Sequence, residues 1–296
     1  MRSKTKLSEI GGLLRSRSRK VANPAGREIL ILDDANALKV ASQSNLTIYD
    51  VYREALRIGI CPYRYLRNRE SISKEEQFTL CTSCVAVVGA GGLGGHVILL
   101  LARLGIGHIV VIDHDAFDET NLNRQALASG HALGKSKSEE AVSVVRSINP
   151  GVRVTPHCVR IDRSNAREIL DGSDVIVDAL DNIPDRFSIE DVSKSLGIPL
   201  VHGALAGFEG QVMTILPEDP GLKRLYGDHG TGEDRTGGER SQAPEAILGV
   251  PSVTASLIAT LQAMEVLKII LKKGTLLRDV MFHVDLETGE MCPFTF

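Results

Sequence analysis

Several absences narrow the field at once. The 296-residue sequence contains no run of about 18 apolar residues, so no membrane-spanning helix is expected. Its N-terminus is basic, with Arg15, Arg17, Arg19 and Lys20, but lacks the apolar core of a signal peptide, which argues against secretion. Neither sign of charge dominates: the formal net charge of −3 provides no global basic field to gather DNA or an anionic membrane. The five cysteines (Cys61, Cys81, Cys84, Cys158 and Cys292) are odd in number and scattered, which suits a reducing cytoplasm better than a disulfide framework. Cys81 and Cys84 form a CxxC with no second pair. A structural zinc site needs four ligands, so none is expected.

What is present is ordinary in bulk, with 43% apolar and 24% charged residues, enough for one sizeable core plus a small satellite. Residues 1–26 are polar and basic and read as a mobile arm. Residues 27–61 read as a small helical module. Residues 28–33 suit a short strand, and Thr47 with Asp50 has capping-box spacing ahead of Ile48, Val51, Tyr52, Ala55 and Leu56, with Gly59 as the stop. A second capping box, Ser73 with Glu76, opens a helix to about Leu80.

From Val85 onward strands and helices alternate. The runs 85–88, 108–112, 152–161, 174–180, 200–204 and 211–216 read as strands; 93–104, 137–148 and 184–196 read as helices. That rhythm specifies an α/β fold with a Rossmann-like, doubly wound, mostly parallel sheet. Residues 217–249, rich in glycine and charge, interrupt it as a long loop of the functional kind. A long apolar helix over 250–272 and a hairpin from 280–284 and 290–295 follow, which adds an antiparallel C-terminal part. Cys158 falls inside a predicted strand and reads as core packing.

The chemistry begins at Gly89, Gly91 and Gly94. This G-x-G-x-x-G lies between a strand and a helix, where bare backbone N–H groups and the helix N-terminus accept a phosphate. Asp113, at the end of the next strand, suits a ribose hydroxyl pair. At this point NAD, FAD and ATP all remain open, and a dehydrogenase leads. The residues that follow fit it poorly. Asn121, Arg124, Gln125 and Lys137, with Arg67 upstream, put three cations and an asparagine around one nucleotide, which suits a triphosphate. Asp181, at the C-terminal end of a further strand, suits Mg²⁺ on the phosphates.

Taken together, the motifs resemble the ThiF/MoeB/HesA family, bacterial relatives of ubiquitin-activating enzymes, over residues 62–296. They are Arg64-Tyr65-Leu66-Arg67-Asn68, Gly89-Ala90-Gly91-Gly92-Leu93-Gly94, Asp113-His114-Asp115, Asn121-Leu122-Asn123-Arg124-Gln125, Gly134-Lys135-Ser136-Lys137 and Asp178-Ala179-Leu180-Asp181-Asn182. The resemblance implies an enzyme that uses ATP and Mg²⁺ to adenylate the C-terminal glycine carboxylate of a small ubiquitin-like sulfur carrier ending in Gly-Gly, releasing pyrophosphate. By position it implies that Asp113 holds the ribose, Arg124 and Lys137 hold phosphates and Asp181 the magnesium. Arg67 would reach the neighbouring subunit's site, which implies a homodimer. Two departures stand out. No cysteine lies between Cys158 and Cys292, so the structural zinc carried by many relatives is not expected, and the 217–249 loop lacks the reactive cysteine that many place there. Adenylation is therefore implied, whereas sulfur handover is not. Relatives that activate a peptide C-terminus or dehydrate a modified tRNA adenosine, and inactive scaffold subunits, remain as competing readings. The stretch 203–210 suits either a channel for the Gly-Gly tail or close packing, and His202 reads as a satisfied core or edge histidine.

Overall fold

The computed structural model describes residues 2–227 and 244–296, and the chain divides into two units. The smaller comprises Met1–Ser83, Ala102–His108 and Val145–Arg153. It opens with α1 (Arg2–Arg17), β1 (Arg19–Ala22), β2 (Glu28–Leu32), α2 (Asp34–Ser44), α3 (Ile48–Arg57) and β3 (Cys61–Pro62). A 3-10 turn (Tyr63–Asn68) and α4 (Lys74–Thr82) complete its continuous part. Both capping boxes form as the spacing predicts: Thr47 and Ser73 each accept the N3 amide, and Asp50 and Glu76 return the bond.

The segment expected as a mobile arm carries α1 and β1. Ile10 and Leu14 are buried in the same cluster as Val40, Val51, Tyr52 and Ile60. The polar composition of 1–26 conceals two apolar side chains four apart, which is all one helical face requires. The unit is also not helical alone: β1 and β2 pair antiparallel, and β2 pairs parallel with β3.

The larger unit comprises Cys84–Leu101, Ile109–Val144 and Val154–Phe296. Its elements alternate: β4 (Cys84–Val88), α5 (Gly92–Leu104), β5 (His108–Ile112), α6 (Lys137–Ile148), β6 (Arg153–His157), α7 (Ala166–Leu170), β7 (Val175–Asp178), α8 (Ile183–Leu196), β8 (Leu200–Ala206) and β9 (Glu209–Ile215). Then come α9 (Lys223–Tyr226), α10 (Pro244–Leu248), α11 (Ser252–Leu271), β10 (Val280–Asp285) and β11 (Met291–Thr295). The eight-stranded sheet has the order β11-β10-β9-β8-β7-β4-β5-β6. β7 pairs parallel with both β4 and β8, and the pairs β8–β9, β9–β10 and β10–β11 are antiparallel, so the fold is the expected mostly parallel α/β sheet with an antiparallel C-terminal part.

Three expectations are corrected in detail. β6 stops at His157, and Cys158, expected in the core, is exposed: the strand lies at the sheet edge, where alternation buries little. The 217–249 stretch is not wholly irregular, because α9 and α10 lie within it; the rest of it, 228–243, falls outside the described residues. Finally, α11 is long and apolar enough in composition to cross a bilayer, although no such run was expected. It buries Ala255, Ile258, Ala259 and Val266, and its polar residues are also buried and bonded: Thr254 Oγ1 donates to the Gly207 carbonyl at 2.9 Å, and Glu265 accepts from Thr214 Oγ1 at 2.7 Å. Those partners identify it as a core helix lying on β7, β8 and β9.

Candidate functional site

The crevice forms at the carboxyl ends of β4, β5 and β7, where an open α/β sheet binds its ligands. β4 ends at Val88 and turns at Gly89, whose φ of +95° is open to glycine and rarely to other residues. The Gly89 amide donates to the Ile112 carbonyl at 2.8 Å, tying the turn to β5. The glycines of the loop divide into two kinds. A Cβ on Gly89 would stand 2.5 Å from the Ala179 carbonyl oxygen, and one on Gly94 only 1.8 Å from the Gly89 carbonyl oxygen. These two are required by packing. A Cβ on Gly91 or Gly92 would meet nothing closer than 3.7 Å, the nearest atoms being side chains of Gln125 and Val250. Nothing among the described residues demands glycine at those two, and both line the crevice at the start of α5.

Asp113 follows β5. Its Oδ2 accepts the Ala90 amide at 2.7 Å and its Oδ1 accepts the Asp115 amide at 2.8 Å. The carboxylate is thus held rigidly, with a further lone pair on each oxygen for a diol. Asp115 is half exposed and accepts from Lys137 Nζ at 2.9 Å, while Lys137, the first residue of α6, is almost buried. Burial acts to raise the Asp115 pKa, but the hydrogen bond and charge of Lys137, helped by His114, outweigh it and hold the carboxyl below its ordinary range. Asp113, His114 and Asp115 also bring ligand atoms within 4.8 Å of one another. Their oxygens are already engaged by backbone amides and by Lys137.

Arg124 and Gln125 come from the segment after β5. Arg124 Nη1 donates to the Thr120 carbonyl at 2.6 Å and to Asn123 Oδ1 at 3.1 Å. Gln125 is 7% exposed, and its Oε1 has no hydrogen-bond partner among the described residues, an orphaned acceptor on the crevice wall. Asn121 does not line the crevice: its Oδ1 accepts the Asp118 amide at 3.0 Å and caps the turn that presents Arg124. Asp181 and Asn182 close the opposite side. Asn182 caps α8 by accepting the Asp185 amide at 2.9 Å, and the side chain of exposed Asp181 has, among the described residues, a single long hydrogen bond, from Asn182 Nδ2 at 3.4 Å. Gly89, Gly91, Gly92, Asp113, Asp115, Arg124, Gln125, Lys137, Asp181 and Asn182 therefore line one cavity of about 330 Å³. Gly94 supports the turn beneath it, and Arg67 lies in the 3-10 turn of the smaller unit.

The structure adds residues that the sequence reading missed. Arg186, 8% exposed, lines the same cavity, and its Nη1 donates to Tyr226 Oη at 2.9 Å. His202 is fully buried as expected, with Nδ1 2.7 Å from Asp178 Oδ2 and Nε2 3.2 Å from Tyr226 Oη. Burial lowers the His202 pKa against the pull of Asp178, so the ring is neutral, donating from Nδ1 to the carboxylate and accepting the tyrosine proton at Nε2. A second cavity of about 580 Å³ adjoins the first and shares Asp181, Asn182, Arg186, Ala204 and Leu205 with it. The signal for Arg186 was available: it sits four residues after the cap of α8, where the helix dipole favours acids. A cation there needs an anion nearby. On 203–210, Gly203 and Gly210 have α11 side chains where a Cβ would be, Gln262 at 2.5 Å and Ile258 at 2.4 Å, so these glycines serve packing. Ala204, Leu205 and Ala206 line the second cavity.

Comparison with known proteins gives these features a context. The model of the ThiF family matches residues 65–295. The chain is 40% identical over 225 residues to the protein of Haloferax volcanii named SAMP-activating enzyme E1, covering 75% of this chain and 80% of that one. It is 36% identical to the sulfur carrier protein adenylyltransferase of Thermus thermophilus, covering 69% and 74% respectively. The adenylyltransferase and sulfurtransferase MOCS3 of Arabidopsis thaliana is 36% identical, and there the chain spans about half (51%) of the relative's length. Among solved structures, E. coli MccB with ATP superposes with a TM-score of 0.64 at 20% identity, over 88% of this chain and 82% of that one, a likeness of fold.

Proposed function

Because the chain belongs to the ThiF family, we propose that its crevice binds ATP and transfers AMP to the C-terminal carboxylate of a small ubiquitin-like sulfur carrier. The observation that carries this reading is the composition of the 330 Å³ cavity. Gly91 and Gly92 are open there without any packing reason, the Gln125 acceptor is orphaned, and Lys137, Arg124 and Asp181 surround the same space. The named activities of the archaeal and bacterial relatives support it.

In this reading the amides at the start of α5 receive phosphate oxygens, and Asp113 holds the ribose diol. Gln125 Oε1 accepts from the nucleotide, and Arg124 and Lys137 neutralise the phosphates. Asp115 keeps Lys137 in place until a phosphate competes for it. The carrier's carboxylate is ionised at neutral pH and needs no general base. Its oxygen forms a bond to the α-phosphorus, the bridging bond to the β-phosphate breaks, and pyrophosphate leaves with that electron pair. Catalysis is then positioning plus charge neutralisation. Asp181 fits Mg²⁺: it is an exposed carboxylate on the crevice wall with one long hydrogen bond, and magnesium favours one or two carboxylates together with substrate phosphates. When bound, the ion would supply charge neutralisation on the phosphates.

The direct test is ATP–pyrophosphate exchange with small carrier proteins ending in Gly-Gly. Exchange should require the carrier and vanish when its terminal glycine is amidated or removed; exchange indifferent to the carrier's C-terminus would overturn the reading. We further assign Arg67 to the partner subunit's site in a homodimer. Arg67→Ala and Asp181→Ala proteins should each be inactive, yet mixed after subunit exchange they should recover about a quarter of wild-type activity, since half the dimers then hold one intact site of two. No recovery in mixtures proven to exchange subunits would exclude action across the interface.

A further inference from the structure

Arg67 leaves a turn whose root is fastened on two sides, and one of the fastenings comes from a part of the chain that the adenylation reading leaves idle. The two residues that anchor the turn are Arg64 and Tyr65, and both belong with all their partners to the smaller unit. Asp34, the first residue of α2, accepts from Arg64 Nη2 and, at 3.4 Å, from Nε, and it also accepts the Tyr52 hydroxyl proton. Arg64 Nη1 donates to the carbonyl of Ile148, the last residue of α6, where a helix end favours a cation. Buried Tyr65 accepts from Asn149 Nδ2 at 2.8 Å. Its ring lies close over Gly105, where a Cβ would stand 2.7 Å from it, and meets the Tyr52 ring edge to face at 6.4 Å.

Arg67 itself is exposed, three residues beyond Arg64 in the same 3-10 turn. Hydrogen bonds within so short a 3-10 segment are poor, so the direction in which Arg67 projects depends on what holds residues 64 and 65. Among the anchors Asp34 has the least to do for the fold. The start of α2 is already capped by Asp33, which accepts the Asn36 amide at 2.9 Å. The Asp34 side chain is 44% exposed, and an ion pair that open adds little to stability. Its carboxylate is committed to Arg64 and Tyr52. Burial, helped by the bond to Asp34, raises the Tyr52 pKa, so the hydroxyl stays a donor. Asp34 and Tyr52 also precede the family match, which begins at residue 65.

We propose that Asp34 is a positioning residue for Arg67: through Arg64 it fixes the turn from which Arg67 reaches the partner subunit's site, so the module ahead of the family domain serves as a brace for the reaction. This rests on the assignment of Arg67 made above. Misplacing a catalytic group by about 1 Å costs roughly a hundredfold in rate, even when the change lies far from the chemistry. Asp34 therefore governs rate although it meets neither nucleotide nor carrier. Tyr52 shares the task by holding the carboxylate that holds Arg64.

Asp34→Asn keeps the size of the side chain and an acceptor for Tyr52, and loses the charge that fixes the guanidinium. It should melt close to wild type and slow carrier-dependent ATP–pyrophosphate exchange about 10- to 100-fold. Subunit mixing then locates the defect. Asp34→Asn mixed with Asp181→Ala should rise to about a quarter of wild-type activity, because half the dimers then pair one intact crevice with one intact Arg67 turn. Mixed with Arg67→Ala, it should not rise above the mean of the two proteins alone. A residue that merely supported its own subunit's fold or crevice would not sort in this way. If Asp34→Asn does not fold, Tyr52→Phe keeps the ring, removes the hydroxyl and should give the same pattern with a several-fold loss. Undiminished exchange in the folded variant overturns the proposal. So does a failure to rise with Asp181→Ala in mixtures where Arg67→Ala does rise, since the defect would then lie in the variant's own crevice. If Arg67→Ala also fails to rise with Asp181→Ala after proven subunit exchange, the Arg67 assignment itself falls and the brace with it, so that control pair keeps the two failures distinct.

Discussion

Asp181→Ala is expected to reduce carrier-dependent ATP–pyrophosphate exchange by about a hundredfold or more, the scale of several kcal/mol of phosphate neutralisation, while the protein stays folded. The two halves of that result have separate physical causes. The fold survives because Asp181 is exposed and, among the described residues, its side chain takes part in one hydrogen bond, the 3.4 Å bond from its neighbour Asn182. A surface change of that kind shifts stability by about 0.5 kcal/mol or less. Activity falls because no other acidic group on the crevice wall is comparably uncommitted. Asp113 carries two backbone amides, Asp115 carries Lys137, and Asp185 carries the guanidinium of Arg160 at 3.1 Å. This is also why Asp181 makes a better probe than Asp113. Removing the Asp113 carboxylate would release the Ala90 amide and disturb the glycine turn, so lost activity would not separate ribose binding from a displaced loop. Exchange kinetics over a range of Mg²⁺, with a thermal melt of the same sample, checks the prediction. Undiminished exchange would end the assignment of Asp181.

The sheet was legible in the sequence because its signal is local: buried strands read as continuous apolar runs, and the helices between them have strong starts and stops. The glycine turn, Asp113 and Lys137 were legible for the same reason, since each sits at an element boundary that the pattern marks. Cys158 was misplaced because alternation says nothing about which strand lies at an edge, and edge position is decided by long-range pairing. The arm was misread because Ile10 and Leu14 are sparse in a polar segment and gain their burial from distant residues, Leu32 through Ile60. Arg186 and the Asp178–His202–Tyr226 chain were missed because they form only when α8, β7, β8 and α9 meet, through hydrogen bonds that span 24 to 40 residues in sequence. Polar networks of this sort carry no periodicity. Their one local trace was a cation in the first turn of a helix, against the dipole.

Gly94→Ala and Gly91→Ala should fail in opposite ways, although both glycines belong to one motif. At Gly94 the new Cβ would lie 1.8 Å from the Gly89 carbonyl oxygen and 3.2 Å from the Ala179 Cβ. Neither neighbour can retreat cheaply. The Gly89 carbonyl is backbone in a turn anchored to Ile112, and the Ala179 amide is bonded to the Val88 carbonyl at 2.9 Å. Accommodating the methyl means displacing α5 from β4, and overpacking of this kind typically costs about 1–3 kcal/mol, with backbone clashes at or above the upper end. Gly94→Ala should therefore melt several degrees or more below wild type and lose nucleotide binding as a consequence. At Gly91 the same methyl would meet only the Gln125 side chain, at 3.7 Å, which is ordinary contact. Alanine also favours the helix start that follows, so the melting temperature should hold or rise slightly. The methyl would, however, occupy the space a phosphate needs to reach the amides of the turn, and ATP affinity should fall at least tenfold, which is about 1.4 kcal/mol. Differential scanning fluorimetry with and without ATP·Mg²⁺ distinguishes the cases: an unstable protein for Gly94→Ala, and a stable protein with no ATP-induced shift for Gly91→Ala. An ATP-induced shift of wild-type size in Gly91→Ala would mean that the nucleotide does not approach this turn, and the crevice would have to be filled in another orientation.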